Sequence, residues 1–142
     1  MASAHDVAKY ILEKRGAMSA MKLEKLVYYS QAWSLVWDEA PLFGEEIEAW
    51  ANGPVVRELY DKHRGQYSVS VWPTGDIASL SDNQKDTIDI VLDFYGGFNA
   101  QQLSDLTHRE SPWREARRNV PEGEPCDNVI SIASMAEYYS SL

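Results

Sequence analysis

The sequence has a single cysteine, Cys126, and only three histidines. One cysteine cannot form an internal disulfide bond, and no Cys or His spacing in the chain matches a zinc site. We therefore expect a protein suited to a reducing cytoplasm, with no metal ion and no other cofactor. Because Glu124 and Asp127 lie beside Cys126 and disfavour its thiolate form, we do not expect this cysteine to act as a nucleophile.

Long apolar runs and the layout of a signal peptide are also missing. No stretch approaches the roughly 20 apolar residues that a membrane-spanning helix needs. The first residues, "MASAHDVAKYILEKRG", lack the positive-then-apolar order of a signal peptide. We expect a cytoplasmic protein with no membrane segment. The 142 residues, 44% of them hydrophobic and 25% charged, fit a single domain spanning residues 1–142.

Basic residues are scarce: 13 Lys and Arg stand against 22 Asp and Glu, for a net charge of −9. Proteins that bind DNA or RNA use a basic surface to neutralise phosphates, so we expect no direct binding of nucleic acid. No Lys or Arg lies between Lys25 and Arg57, or from Asp86 to His108. Such acidic stretches attract a basic protein partner. The alternative is that the acidity serves solubility.

Three arginines close together, Arg114, Arg117 and Arg118, are the exception to this acidic pattern. Glu110 and Glu115 lie beside them. At helical spacings of three and four residues, opposite charges face each other. We therefore expect local ion pairs here rather than a track for phosphates.

The patterns of most catalytic sites are absent. The chain has no G-x-S-x-G nucleophile elbow, no glycine-rich phosphate loop and no two-histidine zinc helix. Glu45 and Glu46 fall on alternate faces of a presumed strand, so they do not share a reacting atom. We predict no catalytic residues and no enzyme. A hydrolase would be supported if His63 or His108 lay within hydrogen-bond reach of a carboxylate in an open pocket.

Helical periodicity is the main signal that is present. A first helix carries Val7, Tyr10 and Ile11 on one side and ends at Gly16. The second, "KLEKLVYYSQAWSLVW", is capped by Ser19 and is apolar nearly all the way round, which is typical of a helix that is central or shared with a partner. A terminal helix follows the loop "VPEGEPCDN". Further helix starts are indicated by two capping boxes and one proline: Ser81 with Gln84, Asn99 with Gln102, and Ser111-Pro112.

Two short stretches alternate like strands. In "EEIEAW", Ile47 and Ala49 oppose Glu46 and Glu48, and "SVSVW", from Ser68 to Trp72, alternates in the same way. We expect the two to pair as an antiparallel ribbon. The fold class is therefore mainly α (α+β), a compact multi-helix domain with a small two- or three-stranded antiparallel β element.

Between these two stretches, "NGPVVRELYDKHRG" predicts a helix. Proline suits the first helical position and disfavours helical geometry in the residue before it. We therefore expect Gly53 to be the N-cap and Pro54 to begin the helix. Its apolar face ends at His63, which we interpret as a histidine at the edge of the core that bonds a neighbour.

Several segments in order resemble one family. The segments are "MKLEKLVYYSQAWSLVWDEAPLFGEEIEAWANGPVVRELYDKHRG", "LSDLTHRESPWREAR" and the terminal "EYY". Together they resemble the Panacea antitoxin domain, which includes SocA-like and phage-associated GepA-like antitoxins. The likeness covers most of the chain, but two segments, "QYSVSVWPTGD" and "PEGEPCDN", do not match the family. It is carried by the helix with Tyr28 and Tyr29, by Ala49-Trp50 to Gly53-Pro54-Val55, by Tyr60, by Thr107-His108 and by Pro112-Trp113.

This resemblance implies a non-enzymatic, largely helical protein of bacteria or their prophages. Such a protein is encoded beside a toxin and neutralises it by direct binding. The toxins paired with the domain are diverse. In the SocA-like branch, the antitoxin also acts as an adaptor that brings the toxin to a protease, so delivery to a protease is the alternative function and a protease is a second candidate partner.

Aromatic residues suggest where a partner is contacted. Five tryptophans and eight tyrosines exceed what a core of this size needs, and aromatic side chains are favoured interface anchors. The alternative is that most of them build the core. We interpret Gly53, Pro54, His108 and Trp113 as structural, with His108 bonding a carbonyl at a helix end. The candidate partner-binding residues are Trp33, Trp37, Trp50, Asn52, Arg57, Tyr60 and Asp61.

Overall fold

A computed structural model describes residues 2–142, and in this part of the chain seven α-helices accompany two small antiparallel sheets. The helices are α1 (Ala4–Arg15), α2 (Ala20–Trp37), α3 (Arg57–His63), α4 (Asp82–Tyr95), α5 (Ala100–His108), α6 (Ser111–Ala116) and α7 (Ile132–Ser140). The strands are β1 (Met18–Ser19), β2 (Ile47–Trp50), β3 (Gly53–Val56) and β4 (Ser68–Val69), and a short 3-10 helix covers Ile77–Ser79. The predicted fold class, mainly α with a small β element, is confirmed.

Helix α2 is the centre of the molecule. It packs against α1, α4, α5, α7 and β3, and most of its side chains are buried. Leu23, Leu26 and Val27 have no exposed surface. A helix that is apolar on all sides is stable only when neighbours cover it, and here the protein's own elements provide most of that cover.

The helix ends follow the local signals in the sequence. The Ser19 side chain accepts a hydrogen bond from the Lys22 amide at 3.1 Å, as an N-cap does. Helix α1 ends at Gly16, whose N–H donates to the Leu12 carbonyl. The capping boxes of α4 and α5 and the proline start of α6 are present as predicted: Ser81 with Gln84, Asn99 with Gln102, and Pro112 in the first turn.

The strand pairing differs from the prediction. Strand β2 pairs with β3, from Ile47 opposite Val56 to Trp50 opposite Gly53. The segment from Ser68 contributes only β4, which pairs with β1. The predicted ribbon of "EEIEAW" with "SVSVW" is therefore wrong. The two residues Ala51 and Asn52 form the hairpin loop, and so short a loop pairs β2 with the residues that follow immediately.

The predicted start of α3 is also wrong. Gly53 and Pro54 lie in β3, and α3 begins at Arg57. Gly53 has a φ of +117°, a backbone conformation that glycine adopts readily and a side chain disfavours. Proline is tolerated in a strand at an edge position, where its missing N–H breaks no ladder bond.

Residues 128–130 lie along the free edge of β2. The Ala49 amide donates to the Asn128 carbonyl at 2.8 Å, and the Ile130 amide donates to the Ile47 carbonyl at 2.8 Å. The loop before α7 thus covers an edge that would otherwise present unpaired backbone groups. No helix within residues 2–142 is long and apolar enough to cross a bilayer.

Candidate functional site

The hairpin formed by β2 and β3 is held from one side by α6 and the residue after it. The Trp113 indole Nε1 donates to the Trp50 carbonyl at 2.9 Å, and the Arg117 guanidinium donates to the Ala49 carbonyl at 2.9 Å. Arg117 is buried and lies over the Trp113 ring. These bonds fix the backbone of β2 just before the hairpin turn.

Helices α2 and α5 hold the other half of the hairpin. The Lys25 ammonium donates to the Pro54 carbonyl at 3.1 Å, and the Ser104 hydroxyl donates to the Asn52 carbonyl at 2.6 Å. A Cβ on Gly53 would meet the Lys25 Cε at 2.5 Å. The hairpin backbone therefore approaches the buried lysine so closely that only glycine fits.

Glu24 joins β3 to α3 beneath the hairpin. One carboxylate oxygen accepts the Val56 N–H at 2.9 Å, and the other is 2.8 Å from His63 Nε2. Glu24 and His63 are both buried. The prediction that His63 bonds a neighbour is confirmed. Burial lowers the pKa of the adjacent Lys25 to about 8, and the nearby Glu24 charge opposes that shift.

The fixed hairpin and α3 present a group of exposed or half-buried side chains that we call the Trp50 ridge: Trp50, Asn52, Arg57, Tyr60 and Asp61. The rings of Trp50 and Tyr60 meet edge to face, with centroids 4.7 Å apart, and the Arg57 guanidinium lies 5.4 Å from the Trp50 ring centroid. Asn52, Arg57 and Asp61 are exposed. Five of the seven predicted partner-binding residues thus come from one hairpin and the helix after it.

Trp50 lines two clefts. The larger has a volume of about 720 Å³ and reaches the buried Glu24, Lys25 and His63. The smaller, of about 440 Å³, runs from Trp50 and Arg57 to Cys126. Clefts of these sizes match those that receive small molecules or side chains of a partner. The ridge therefore combines an aromatic anchor with two concave surfaces.

The other two predicted residues, Trp33 and Trp37, lie elsewhere. Their rings stack with centroids 5.0 Å apart near the C-terminal end of α2. Trp33 is half-buried and donates to the Tyr95 hydroxyl at 2.9 Å, whereas Trp37 is 45% exposed. The structure therefore divides the seven predicted residues between two surfaces.

His108 does not make the predicted bond to a carbonyl. Its ring stacks on Trp113 with centroids 4.0 Å apart. In residues 2–142, its Nε2 is the one enclosed side-chain nitrogen or oxygen without a hydrogen-bond partner. Burial lowers the pKa of His108, which keeps the ring neutral and suited to stacking.

The predicted ion pairs of the arginine cluster are also wrong. None of the ion pairs in residues 2–142 contains Arg114, Arg117 or Arg118. Arg117 bonds three backbone carbonyls instead, those of Ala49, Pro121 and Glu124. Its neighbour Glu110 is engaged by two tyrosines, so it is not available to an arginine.

This group of tyrosines, which we call the tyrosine cluster, was not foreseen from the sequence. Glu110 Oε1 accepts the Tyr29 hydroxyl at 2.7 Å and the Tyr139 hydroxyl at 2.8 Å, and Tyr28 lies 3.0 Å from the Tyr139 hydroxyl. Burial raises the pKa of Glu110, although the two tyrosine bonds oppose that shift. The cluster joins α2 and α7 to the α5–α6 junction, which explains what Tyr28, Tyr29 and the terminal "EYY" do in the fold.

One group of possible metal ligands was also missed. Ligand atoms of His5, Glu45 and Glu58 lie within 4.8 Å of one another. However, the Trp72 indole N–H donates to His5 Nδ1 at 3.2 Å, which places the ring proton on Nε2. Both carboxylate oxygens of Glu45 accept a hydrogen bond from the Ala4 N–H. These bonds explain His5 and Glu45 as contacts that hold α1 in place rather than as ligands of an ion.

The Glu24–His63 pair meets one requirement for a hydrolase, because a histidine bonds a carboxylate beside a cleft. A nucleophile is the second requirement. Among the hydrogen bonds of residues 2–142, none joins His63 to a serine, threonine or cysteine. Both Glu24 oxygens are also occupied, one by His63 and one by the Val56 amide. The pair is therefore explained by its support of β3.

This geometry defines a class of protein: a small, mainly helical domain that presents a fixed hairpin. A sequence model of the family described as "Antitoxin SocA-like, Panacea domain" matches residues 23–114. The chain therefore belongs to the SocA-like Panacea antitoxin domain family. Comparisons with curated proteins and with solved structures gave no match. The matched residues include Lys25, the whole hairpin, α3 and Trp113, and so contain both the Trp50 ridge and its main supports.

Proposed function

We propose that this protein is the antitoxin of a bacterial or prophage toxin–antitoxin pair and that it neutralises its cognate toxin by direct binding in the cytoplasm. Membership of the SocA-like Panacea family is the observation that carries the proposal. The toxin is the product of the adjacent gene. The Trp50 ridge is the surface that binds it.

The support of the ridge favours this assignment. Four side chains from outside the hairpin bond its backbone carbonyls: Lys25, Ser104, Trp113 and Arg117. A surface held in this way loses little conformational freedom when a partner binds, so more of the contact energy appears as affinity. Trp50, Tyr60 and Arg57 are also the residue types that most often dominate the energy of protein interfaces.

Co-expression with the adjacent gene tests the function. We expect the antitoxin to restore growth and to co-purify with the toxin. Arg57→Ala and Asp61→Ala change exposed side chains of the ridge, so we expect both to weaken the complex while the melting temperature stays nearly unchanged. Val71→Ser, at a position that is 74% exposed and outside the ridge, is the control and should bind like the wild type.

The results separate the alternatives. Loss of the complex in both ridge variants, with Val71→Ser unaffected, supports binding at the ridge. Rescue of growth that requires a protease and is accompanied by faster loss of the toxin supports the adaptor function instead. Failure of both rescue and complex formation would contradict the antitoxin proposal.

A further inference from the structure

A second exposed apolar surface lies at the opposite end of α2 from the hairpin. Trp37 is 45% exposed, and on α4 Ile90 is 52% and Phe94 is 68% exposed. Large apolar side chains exposed together mark interaction sites more often than those scattered singly. We call this surface the α2–α4–α7 face and define it by five residues: Trp33, Trp37, Ile90, Phe94 and Tyr138.

Ring contacts connect its members across three helices. Trp37 stacks on Trp33, and Trp33 bonds the Tyr95 hydroxyl. The Phe94 ring meets the Tyr95 ring with centroids 4.8 Å apart. On the α7 side, Trp33 and Tyr138 both contact Tyr139, with centroids 5.6 Å and 5.0 Å away. Ile90 and Phe94 are one turn apart on α4 and so share a side of that helix.

The charge around this face is mainly acidic, with Lys85 the one basic residue of α4. Helix α7 carries no Lys or Arg, and neither does the second half of α2. Exposed carboxylates stand near the apolar residues in sequence: Glu39 after Trp37, Asp86 one turn before Ile90, and Glu137 before Tyr138. The ion pairs of residues 2–142 include none of these three. An uncompensated acidic margin around an apolar centre complements a basic partner with an apolar stripe.

The same charges argue against a second copy of this chain on the face. Two copies would bring like charges together, in a protein whose net charge is already −9. A membrane surface with anionic lipids is disfavoured for the same reason. A helix with an apolar stripe and a basic opposite side satisfies both parts of the surface, as in other complexes in which an amphipathic helix lies on an aromatic groove.

We propose that the α2–α4–α7 face docks a basic amphipathic helix of a partner protein. This interface is separate from the Trp50 ridge, because Lys25, which supports the ridge, and Trp37 are 12 positions apart on one helix, or roughly 18 Å along its axis. Both surfaces are open at the same time. The proposal goes beyond the antitoxin function and does not require the partner at the ridge to be a toxin.

The test uses the full chain and a synthetic probe. The probe is an amphipathic peptide of Leu and Lys of about 18 residues, a length at which a helix forms readily on binding. A Leu/Glu peptide with the same pattern and a scrambled Leu/Lys peptide are the controls. We expect the patterned basic peptide to bind by calorimetry, more weakly at high salt. In amide and indole NMR spectra, its largest shifts should fall on Trp33, Trp37 and α4.

Variants of exposed residues locate the contact. Ile90→Ser and Phe94→Ser should each lower the affinity about tenfold, a change that corresponds to about 1.4 kcal/mol. Asp86→Asn combined with Glu137→Gln should weaken binding and reduce its salt dependence. Tyr67→Ser and Val71→Ser change side chains that are 87% and 74% exposed elsewhere, and should bind like the wild type. Thermal melting checks that each variant is folded.

Three outcomes would overturn the proposal. The first is equal binding of the acidic or the scrambled peptide. The second is a set of shifts centred on Trp50 and Tyr60 instead of Trp37 and α4. The third is a concentration-dependent dimer in analytical ultracentrifugation that Phe94→Ser abolishes, which would assign the face to a second copy of the chain. Failure of the toxin to bind the Trp50 ridge would not change the result of the peptide experiment.

Discussion

At the scale of single residues, Gly53 combines a left-handed φ with a close approach to a buried side chain. Its φ is +117°, and a Cβ there would lie 2.5 Å from Lys25 Cε and 3.1 Å from the Thr107 hydroxyl. Lys25 is buried and its ammonium bonds the Pro54 carbonyl, so a shift of this side chain would disturb that bond. We expect Gly53→Ala to lower the free energy of unfolding by roughly 2 to 4 kcal/mol, from strain and overpacking together.

Chemical denaturation of Gly53→Ala beside Gly97→Ala measures this effect. Gly97 has an ordinary φ, and a Cβ there would have nothing within 4 Å. Gly97→Ala should therefore change stability by less than about 0.5 kcal/mol. Similar losses in the two variants would contradict the close approach of the hairpin to Lys25.

Replacements of Glu110 separate the contribution of its charge from that of its hydrogen bonds. Its carboxylate accepts two tyrosine hydroxyls, but burial raises its pKa, so the charged form is disfavoured in the fold. Glu110→Gln keeps an oxygen acceptor and removes the charge, so near pH 7 we expect stability within about 1 kcal/mol of the wild type. Glu110→Ala removes the acceptor of the Tyr29 hydroxyl, leaves Tyr139 with Tyr28 as its partner, and should cost roughly 2 to 4 kcal/mol.

The sign of the pH effect gives a further check on Glu110. A carboxyl whose pKa is raised by folding binds more protons in the folded state, so its contribution to stability is present in acid and is lost as the pH rises through the folded pKa. Stability of Glu110→Gln measured from pH 4 upward should lack this loss. Equal denaturation curves for the Gln and Ala variants would show that the tyrosine bonds contribute little.

At the scale of elements, the joint between α2 and β3 depends on a buried lysine. The unfolded chain holds a proton on Lys25 up to its ordinary pKa of 10.5, whereas burial lowers the folded pKa to about 8. Between these values the unfolded state binds more protons, so stability should rise with pH. The rise is limited to about 3 kcal/mol by the size of the shift. Near pH 10 it is opposed by the buried tyrosines, whose pKa values are raised.

Denaturation of Lys25→Met between pH 7 and 9.5 measures this contribution. The variant fills the same space without a charge, so the rise in stability with pH should disappear. Lys62→Met, at an exposed position of α3, is the matched control and should keep the wild-type slope. If stability still rises with pH in Lys25→Met, that rise belongs to another titratable group.

The elements themselves could be predicted where the signal is local. The caps at Ser19, Ser81 and Asn99 and the stop at Gly16 lie within four residues of the groups they bond, and all are present. The start of α3 could not be predicted in this way. "NGPVV" fits a proline helix start as well as a hairpin, and the choice depends on Glu24 and Lys25, about 30 positions earlier.

The residues on the surface of the candidate site could be predicted from the sequence, but the buried residues that support them could not. Trp50, Arg57 and Tyr60 were identified from residue type, and they contact one another. Glu24 and Lys25 lie in an apolar helix, where charged residues ordinarily face solvent. Here both are buried, because β3 supplies an N–H to one and a carbonyl to the other. Only the long-range contact makes that burial favourable.

At the scale of the whole molecule, the net charge of −9 should act on the rate of association. Acidic stretches adjoin both the Trp50 ridge and the α2–α4–α7 face, and charges of one sign speed the encounter with a basic partner over distances longer than any contact. If the adjacent gene encodes a basic toxin, we expect its association rate constant to fall steeply with added salt. If the toxin binds at the Trp50 ridge as proposed, the dissociation rate constant should change much less, because packing around Trp50 would set it.

Stopped-flow measurement of the complex at low and high salt separates these two rates. A variant with Glu39→Gln and Glu137→Gln removes two negative charges outside the ridge. It should therefore slow association at low salt and leave dissociation unchanged. Arg57→Ala, which changes the ridge itself, should act mainly on dissociation. If association does not depend on salt, the acidity serves solubility, and the affinity of the proposed complex arises from contacts at the ridge alone.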